Sequence, residues 1–414
     1  MDARQERGLL IAATCKIEMN RLGWKVPSQS GNGDYIINLD HGEPFCSCPD
    51  FEATGQKCKH IYAVEFMLQN GEHLENATVA KSIHTTYTQD WPAYNEAQTH
   101  EQERFVSLLR DLCNGIEQPP QTFGRPKLPL SDTVFTVAYK VYSTMSGRRF
   151  MSDLREAAVK GLVTKSPSFT SIFRYLENPE LTPLLKTLIE QSASPLKAVE
   201  TDFAVDSTGF ATTTYARWFD HKYGKERIRQ TWVKTHLICG VTTHIVTGVE
   251  ATPYESADGP QLPVLVNKTA QSFSINEVSA DKAYSDRRNL LVVQAVGGTA
   301  FIPFKSNSTG MGDHHHKFNG LWSHMWHFYN FNREAFLQHY HKRSNVETVV
   351  SMIKAKFGAS VRAKTPTAQV NEVLCKVLCH NICVLIQSIY ELGLEPTFWT
   401  FGTKEAVVPK MAWE

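Results

Sequence analysis

The chain has 414 residues, which is enough for two or three domains. Hydrophobic residues make up 42% and charged residues 21% of it, as in a globular protein with a sizeable core, so a disordered or fibrous chain is excluded. The formal net charge of +1 excludes a strongly basic chain, and any nucleic-acid function must therefore depend on local basic patches.

The sequence shows no sign of export or membrane insertion. Its N-terminal residues lack the apolar region and cleavage site of a signal peptide, and no segment reaches the roughly 18 uninterrupted apolar residues of a membrane span. The most apolar segment, Asn371–Gly393, contains polar residues and is predicted to be a buried core helix. Nine cysteines, an odd number, favour a reducing cytosol over a secreted disulfide scaffold.

A cluster of zinc-ligand residues lies in the N-terminal region, residues 1–80. Cys46, Cys48, Cys58 and His60 follow the pattern C-x-C-x9-C-x-H, and two close pairs of ligands can complete a tetrahedral zinc site. The alternative is four incidental residues in a reduced protein. The pattern resembles the SWIM zinc finger, which implies one structural Zn²⁺ in a module that contacts DNA or protein.

The next part of the chain is predicted to be a linker followed by a helical region. Residues 81–128 are polar and rich in Pro and Gly, whereas residues 129–195 contain three helical patterns with scattered basic residues. Ser152 and Asp153 are predicted caps of the second helix, and Ser166 or Ser168 of the third. The helices either place a basic helix in a DNA groove or form a plain bundle with a solvated face.

The pattern changes over residues 196–405, which are predicted to form an α/β domain. A β-type run leads to Asp206, two further strands follow, and helices then alternate with strands near Asp281 and at residues 299–304. Such an order indicates a mixed β-sheet flanked by helices. The sequence thus predicts an α/β domain with a mixed β-sheet flanked by helices. A small zinc finger and a small helical domain precede it in the chain.

Two strand-end aspartates and a helical glutamate are the candidate catalytic groups. Each acid alone is more often a cap or a turn former. If Asp206, Asp281 and Glu347 converge, however, their carboxylates can hold two Mg²⁺ ions about 3.5–4 Å apart for phosphoryl transfer.

The segment around Glu347 has a second regularity. On a continuous helix over residues 331–357, Tyr340, Arg343, Glu347 and Lys354 fall within about 60° of one another. The adjacent arc is apolar and is predicted to pack on the sheet; it consists of Val346, Val350, Ile353 and Phe357. A surface helix with an i, i+4 ion pair is the simpler alternative, but it leaves Tyr340 and Lys354 unexplained.

The spacing of these four residues resembles the Tyr-Arg-Glu-Lys signature of a group of insertion-sequence transposases. The stretches AVDSTGF around Asp206 and ADKAYSD around Asp281 are similar to the group's two aspartate motifs, although Ala283 replaces its usual glycine. The resemblance covers about residues 197–392 and implies an RNase H-like core with the triad Asp206, Asp281 and Glu347. It also implies two Mg²⁺ ions, for which Mn²⁺ can substitute, and DNA contacts by Tyr340, Arg343 and Lys354.

Between Asp281 and Glu347 the sequence offers weaker candidates. Lys305 and Arg287 are predicted phosphate contacts, and Trp322 and Trp326 would either stack on an unpaired base or pack the loop on the core, which we favour. A basic run from His221 to Lys234 is a candidate wall of a DNA groove. The cluster His314, His315 and His316 is better explained by a solvated loop than by a metal site.

The sequence therefore predicts a DNA transposase that binds double-stranded DNA at the ends of its element and joins them to target DNA. Family analogy implies a homodimer on DNA in the cytoplasm of a prokaryotic cell, associated with the nucleoid and not with a membrane. Two alternatives stay open: a non-catalytic DNA-binding regulator derived from a transposon, and a stand-alone nuclease without preference for element ends.

Overall fold

The structure is a computed structural model that describes residues 3–20, 23–28, 33–39, 44–69, 90–121, 123–124, 126–212, 232–310 and 320–399. The chain divides into two compact units, Met1–Thr88 and Gln89–Glu414. The basic run from His221 lies outside the described residues except for its last three, Trp232–Lys234, and His314, His315 and His316 lie outside them as well.

The N-terminal unit is an antiparallel sheet with helices. Its strands pair in chain order: β1 (Glu18–Asn20), β2 (Gly23–Pro27), β3 (Asp34–Asn38) and β4 (Phe45–Cys46). Its helices are α1 (Ala3–Thr14), α2 (Pro49–Thr54) and α3 (Lys59–Gln69). Helices α1 and α3 cross closely at Gly8, where an added Cβ would lie 2.5 Å from the Cβ of Tyr62. The helices and strands of this unit share a small hydrophobic core that includes Ile11, Val26, Ile37, Ile61 and Val64.

The second unit begins with helices: α4 (Trp91–Thr99), α5 (Glu101–Asn114), α6 (Leu130–Tyr142), α7 (Gly147–Val159), α8 (Phe169–Leu176) and α9 (Leu181–Ala193). Helices α4 and α5 lie within the stretch predicted to be a linker, residues 81–128. The sequence of α5 explains this difference, since Phe105, Leu108, Leu109 and Leu112 recur at helical spacing and are buried.

The caps of these helices are only partly as predicted. Ser168 is the N-cap of α8 and accepts a hydrogen bond from the backbone N–H of Ser171. Ser152 and Asp153, in contrast, lie inside α7, because that helix already begins at Gly147. Their prediction as caps was wrong, since the buried residues Phe150 and Leu154 continue one apolar face through both positions.

The central sheet is the mixed α/β sheet that the sequence predicts. Its strands are β5 (Asp202–Ala211), β6 (Trp232–Gly240), β7 (Val246–Thr252), β8 (Glu277–Ala280) and β9 (Thr299–Phe301), in the spatial order β7-β6-β5-β8-β9. Strands β5, β6 and β7 are antiparallel, whereas β5, β8 and β9 are parallel. Helices α10 (Gln261–Thr269) and α11 (Arg287–Ala295) connect the strands of the second half.

The last helices are α12 (Leu321–Phe331), α13 (Arg333–Tyr340), α14 (Ser344–Phe357) and α15 (Pro366–Leu392). Helix α15 is long and apolar enough to cross a membrane, but 78% of its most apolar window is buried inside the protein. It is the core helix of the second unit, packed on α9, α6, α4 and α5.

The single helix predicted over residues 331–357 is interrupted. Asn332 separates α12 from α13, and a 3₁₀ turn, His341–Arg343, joins α13 to α14. The buried face of α14 consists of Val346, Val349, Ile353 and Phe357, so Val349 takes the place predicted for Val350, which is only half-buried. The tighter 3₁₀ turn rotates α14 relative to a continuous helix, which shifts the predicted arc.

Candidate active site and metal centre

The four predicted zinc ligands lie together in the N-terminal unit. Cys46 ends β4, Cys48 caps α2, Cys58 precedes α3, and His60 lies in the first turn of α3. All four are buried, and their ligand atoms lie within 4.8 Å of one another. The Nδ1 atom of His60 is 3.9 Å from the sulfur of Cys46 and 3.8 Å from that of Cys58. Ligand bonds of about 2.0–2.3 Å give tetrahedral edges of about 3.5–3.8 Å, so the cluster fits one Zn²⁺.

The protonation of the sulfurs also suits a metal. A hydrogen bond from Cys46 lowers the pKa of the Cys58 thiol to about 3, and the same contact raises the pKa of Cys46. The sulfur of Cys48 accepts a hydrogen bond from the backbone N–H of Phe51 at 3.4 Å. Thiolate is the form that binds zinc. The lowered pKa of Cys58 favours its thiolate form, and the four ligands together leave no coordination position for catalysis.

The two predicted aspartates lie at the same level of neighbouring parallel strands. Only Asp281 follows the end of its strand; the prediction that Asp206 lies at a strand end was wrong, because β5 continues past it to Ala211 and stays paired with β6. Val205 pairs with Ala280 across β5 and β8, so Asp206 and Asp281 are the next residues on each strand. Adjacent strands lie about 4.8 Å apart, and both carboxylates therefore lie at the level where β8 ends. Each also accepts a hydrogen bond from the backbone N–H that follows it, Asp206 from Ser207 at 2.8 Å and Asp281 from Lys282 at 2.6 Å.

Glu347 joins this pair through Arg343. One guanidinium nitrogen, Nη1, lies 2.8 Å from Oδ2 of Asp206, and the other, Nη2, donates to Oε1 of Glu347. Burial raises the pKa of Asp206, and the carboxylates of Asp281 and Glu347 raise it further, against Ser207 and Arg343. Arg343 thus contacts two of the acids, and Asp281 lies close enough to raise the pKa of Asp206. An oxygen-rich, negatively charged site of this kind fits a divalent cation such as Mg²⁺.

The other two signature residues, Tyr340 and Lys354, lie on helices beside β5. The ammonium group of Lys354 donates to Oγ1 of Thr208 at 2.7 Å and lies 5.5 Å from the ring centre of Phe210. Burial lowers the pKa of Lys354 and raises that of the half-buried Tyr340, which lies near Arg343 and both aspartates. The stripe predicted from the helical wheel therefore faces β5 despite the 3₁₀ turn.

The weaker candidates take different positions. The indole nitrogens of Trp322 and Trp326 donate to the carbonyls of Thr309 and Ser308, at 2.8 and 3.2 Å. The guanidinium of Arg287 lies 5.4 Å from the ring centre of Trp322, whereas Lys305 is exposed. These contacts favour the alternative in which both tryptophans pack the loop.

Sequence reasoning missed a set of charged residues around the helix that carries Glu347. Lys342 contacts Asp202 and Glu277, and Glu372 and Lys376 of α15 contact the backbone just beyond α14. The only signal in the sequence is that charged residues interrupt a predicted core helix. Their partners depend on tertiary structure and could not be identified from spacing.

Comparison with known protein families agrees with this geometry. Residues 197–382 match the family model described as the transposase DDE domain, a range that includes Asp206, Asp281 and Glu347. Residues 35–69 match the SWIM zinc finger and include Cys46, Cys48, Cys58 and His60. No solved structure matches the chain at a significant level. The match over residues 197–382 implies an RNase H-like fold for the mixed sheet.

Proposed function

Because the chain carries a transposase DDE domain and a SWIM zinc finger, we propose that it is an active transposase. In this proposal it binds the ends of its mobile element, hydrolyses phosphodiester bonds there, and joins the 3′-hydroxyl ends to target DNA. The observation that supports activity is that Arg343 contacts both Asp206 and Glu347, while the register of β5 and β8 brings Asp281 to the level of Asp206. A chain that only bound DNA would not need three acids grouped in this way.

In this proposal the role of the triad is to supply carboxylate oxygens as metal ligands. Asp206, Asp281 and Glu347 would hold the Mg²⁺ ions, or Mn²⁺ in their place. When bound, such metals lower the pKa of an attacking water and neutralise charge on the scissile phosphate. Water and then DNA hydroxyls act as nucleophiles, so no covalent bond between protein and DNA forms.

Cations beside the triad would bind the DNA backbone. Arg343 and Lys354 are the nearest, and Tyr340 would contact the terminal nucleotides. Arg287 and Lys305 extend this set towards the loop, and the exposed arginines Arg148 and Arg149 at the start of α7 belong to the region we propose to contact DNA. Two ends must be held together, which requires at least a dimer on DNA, and such a protein would act at the nucleoid of a prokaryotic cell.

The proposal is tested by end-specific strand transfer. We expect the purified full-length protein with Mg²⁺ to cut and join DNA that carries the inverted repeats flanking its own gene, and to leave matched DNA with scrambled ends uncut. Equal cutting of both substrates would favour the stand-alone nuclease. Binding to the ends without cutting, in Mg²⁺ and in Mn²⁺, would favour the non-catalytic regulator.

Arg343 gives a second prediction, since it pairs with one carboxylate oxygen each of Asp206 and Glu347, and a metal ion would compete for these oxygens. Arg343→Met is expected to tighten Mn²⁺ binding by roughly tenfold, about 1.4 kcal/mol, because a competing cation is lost. Binding of end DNA should weaken at the same time. Arg333→Met, which removes an exposed arginine of α13, is the control. Weaker Mn²⁺ binding in Arg343→Met would instead mean that Arg343 mainly holds Glu347 in place.

A further inference from the structure

The helix that carries Glu347 is fastened at its start to the two strands that carry the aspartates. The ammonium group of Lys342, in the turn before α14, lies 2.7 Å from Oδ2 of Asp202 and 2.7 Å from Oε2 of Glu277. These two acids are themselves partners across β5 and β8. The side chain of His339 adds a contact of 2.8 Å to the other oxygen of Glu277. The start of α14 is thus held by the first residue of the strand that contains Asp206 and the first residue of the strand that leads to Asp281.

The end of α14 is fastened by a second pair of charges. The ammonium group of Lys376 donates to the carbonyls of Gly358 at 2.8 Å and Ser360 at 2.7 Å. One turn earlier on α15, the carboxylate of Glu372 accepts hydrogen bonds from the backbone N–H groups of Arg362 and Ala363. Both side chains are almost completely buried, with exposed fractions of 1% for Lys376 and 5% for Glu372. The backbone leaving α14 is therefore held by buried charges on consecutive turns of the core helix.

This second anchor also reaches the strand of Asp206. The backbone N–H of Ala211, at the end of β5, donates to the carbonyl of Ala359, and the N–H of Val361 donates back to Ala211. The ammonium of Lys376 lies 5.4 Å from the ring centre of Phe210 on the same strand. Both ends of α14 are consequently tied to β5, one on each side of Asp206.

Burial of these charges is not explained by core stability alone. A buried lysine and glutamate each carry a large desolvation cost, and well-packed apolar residues usually stabilise a core as well or better. The charges instead specify one conformation of the backbone, because each of them hydrogen-bonds to backbone groups that are correctly placed only in that conformation. The same holds for Lys342, which fits only where Asp202 and Glu277 lie side by side.

We propose that Lys342, Glu372 and Lys376 are positioning residues that hold Glu347 against Asp206 and Asp281, so that the three carboxylates form a ready site for a divalent cation. This inference rests on the proposed function of the triad. The hydrogen bonds and ion pairs of these three side chains are made with residues outside the triad. They therefore act on Glu347 through the two ends of α14.

The test measures binding of Mn²⁺ to the full-length protein without DNA, by electron paramagnetic resonance. We expect Lys342→Gln and Lys376→Met each to raise the Kd of the triad site for Mn²⁺ about tenfold, as for residues that orient metal ligands. Removal of a positive charge alone would lower this Kd, so a rise reports lost geometry. Lys342→Arg, which keeps the charge between the two acids, should restore most of the affinity.

The matched control is Lys268→Gln. Lys268 is also a half-buried lysine between two carboxylates, 3.1 Å from Glu190 and 3.3 Å from Glu250, but it lies on α10. It should leave the Kd for Mn²⁺ unchanged even if the melting temperature falls. If Lys376→Met does not fold, Lys342→Gln decides the question.

Two outcomes separate the inference from the function on which it rests. A Kd in Lys342→Gln equal to that of the unchanged protein, while Asp206→Asn abolishes binding, would overturn the positioning role and leave the triad intact. Binding of Mn²⁺ that is unaffected by Asp206→Asn would instead contradict the proposed function of the triad.

Discussion

Replacement of Asp206, Asp281 or Glu347 by the corresponding amide is expected to reduce cleavage of end-bearing DNA by about 10³-fold or more. Metal ions at such sites contribute several kcal/mol to stabilisation of the transition state, and each 1.4 kcal/mol is a factor of ten in rate. An amide keeps the shape of the side chain but removes the charge that holds the metal. The reduction should appear in single-turnover cleavage measured in Mg²⁺.

The same variants should keep their affinity for end DNA, since Arg343 and Lys354 remain and repulsion from a carboxylate is lost. Glu334→Gln, which changes an exposed carboxylate in the first turn of α13, is the matched control and should cut at the normal rate. Normal cleavage by Glu347→Gln would show that the triad has been assigned wrongly. Loss of DNA binding along with cleavage would point to a folding defect instead.

Loss of zinc is expected to unfold the N-terminal unit and leave the second unit folded. Among the described residues of the N-terminal unit, the buried core cluster has nine members, and three of them are the ligand cysteines Cys46, Cys48 and Cys58, so little apolar core remains without the metal. Structural zinc sites contribute about 10–16 kcal/mol of apparent binding free energy, which is more than a small domain's total stability. Cys58→Ser should therefore lose the metal, about one zinc per chain in the unchanged protein, and expose residues 1–88 to protease.

Cys15→Ser provides the control, because Cys15 is a half-buried cysteine of the same unit outside the ligand set. Zinc content by mass spectrometry and limited proteolysis should be unchanged in that variant. Protein that is free of zinc and still resists protease over residues 1–88 would refute the structural role. Whether the finger contacts DNA can then be read from end binding by Cys58→Ser.

The sequence predicts the candidate catalytic residues more completely than the contacts that hold them in place. Asp206 and Asp281 are predicted from β-type runs that lead to an acid together with the ligand preference of Mg²⁺, and Glu347 from the helical spacing that groups it with Arg343 and Lys354. The register of β5 against β8, which brings the aspartates level, is fixed by buried residues such as Val205 and Ala280 whose pairing no local pattern reveals.

Errors arose where tertiary packing overrides local signals. Polar and Pro-rich flanks favour a linker over residues 81–128, but the apolar face of α5 packs into the core and makes this segment helical. The 3₁₀ turn at His341–Arg343 was missed because nothing in its composition breaks a helix; Lys342 instead contacts Asp202 and Glu277 there. Lys376 was noticed only as a polar residue in a core helix, since the carbonyls that it binds come from a segment 16–18 residues earlier in the chain.

The alternation of β5 has a consequence for which length changes the chain can tolerate. Asp202, Asp206, Thr208 and Phe210 share one face of the strand and meet, in that order, Lys342, Arg343 and then Lys354, with Lys376 also at Phe210. A one-residue deletion between Asp202 and Phe210 would turn every later side chain to the opposite face. A one-residue insertion between Lys342 and Lys354 would rotate the helix by about 100°. Insertions and deletions should therefore be absent from both intervals in functional descendants of this chain, even where single substitutions accumulate.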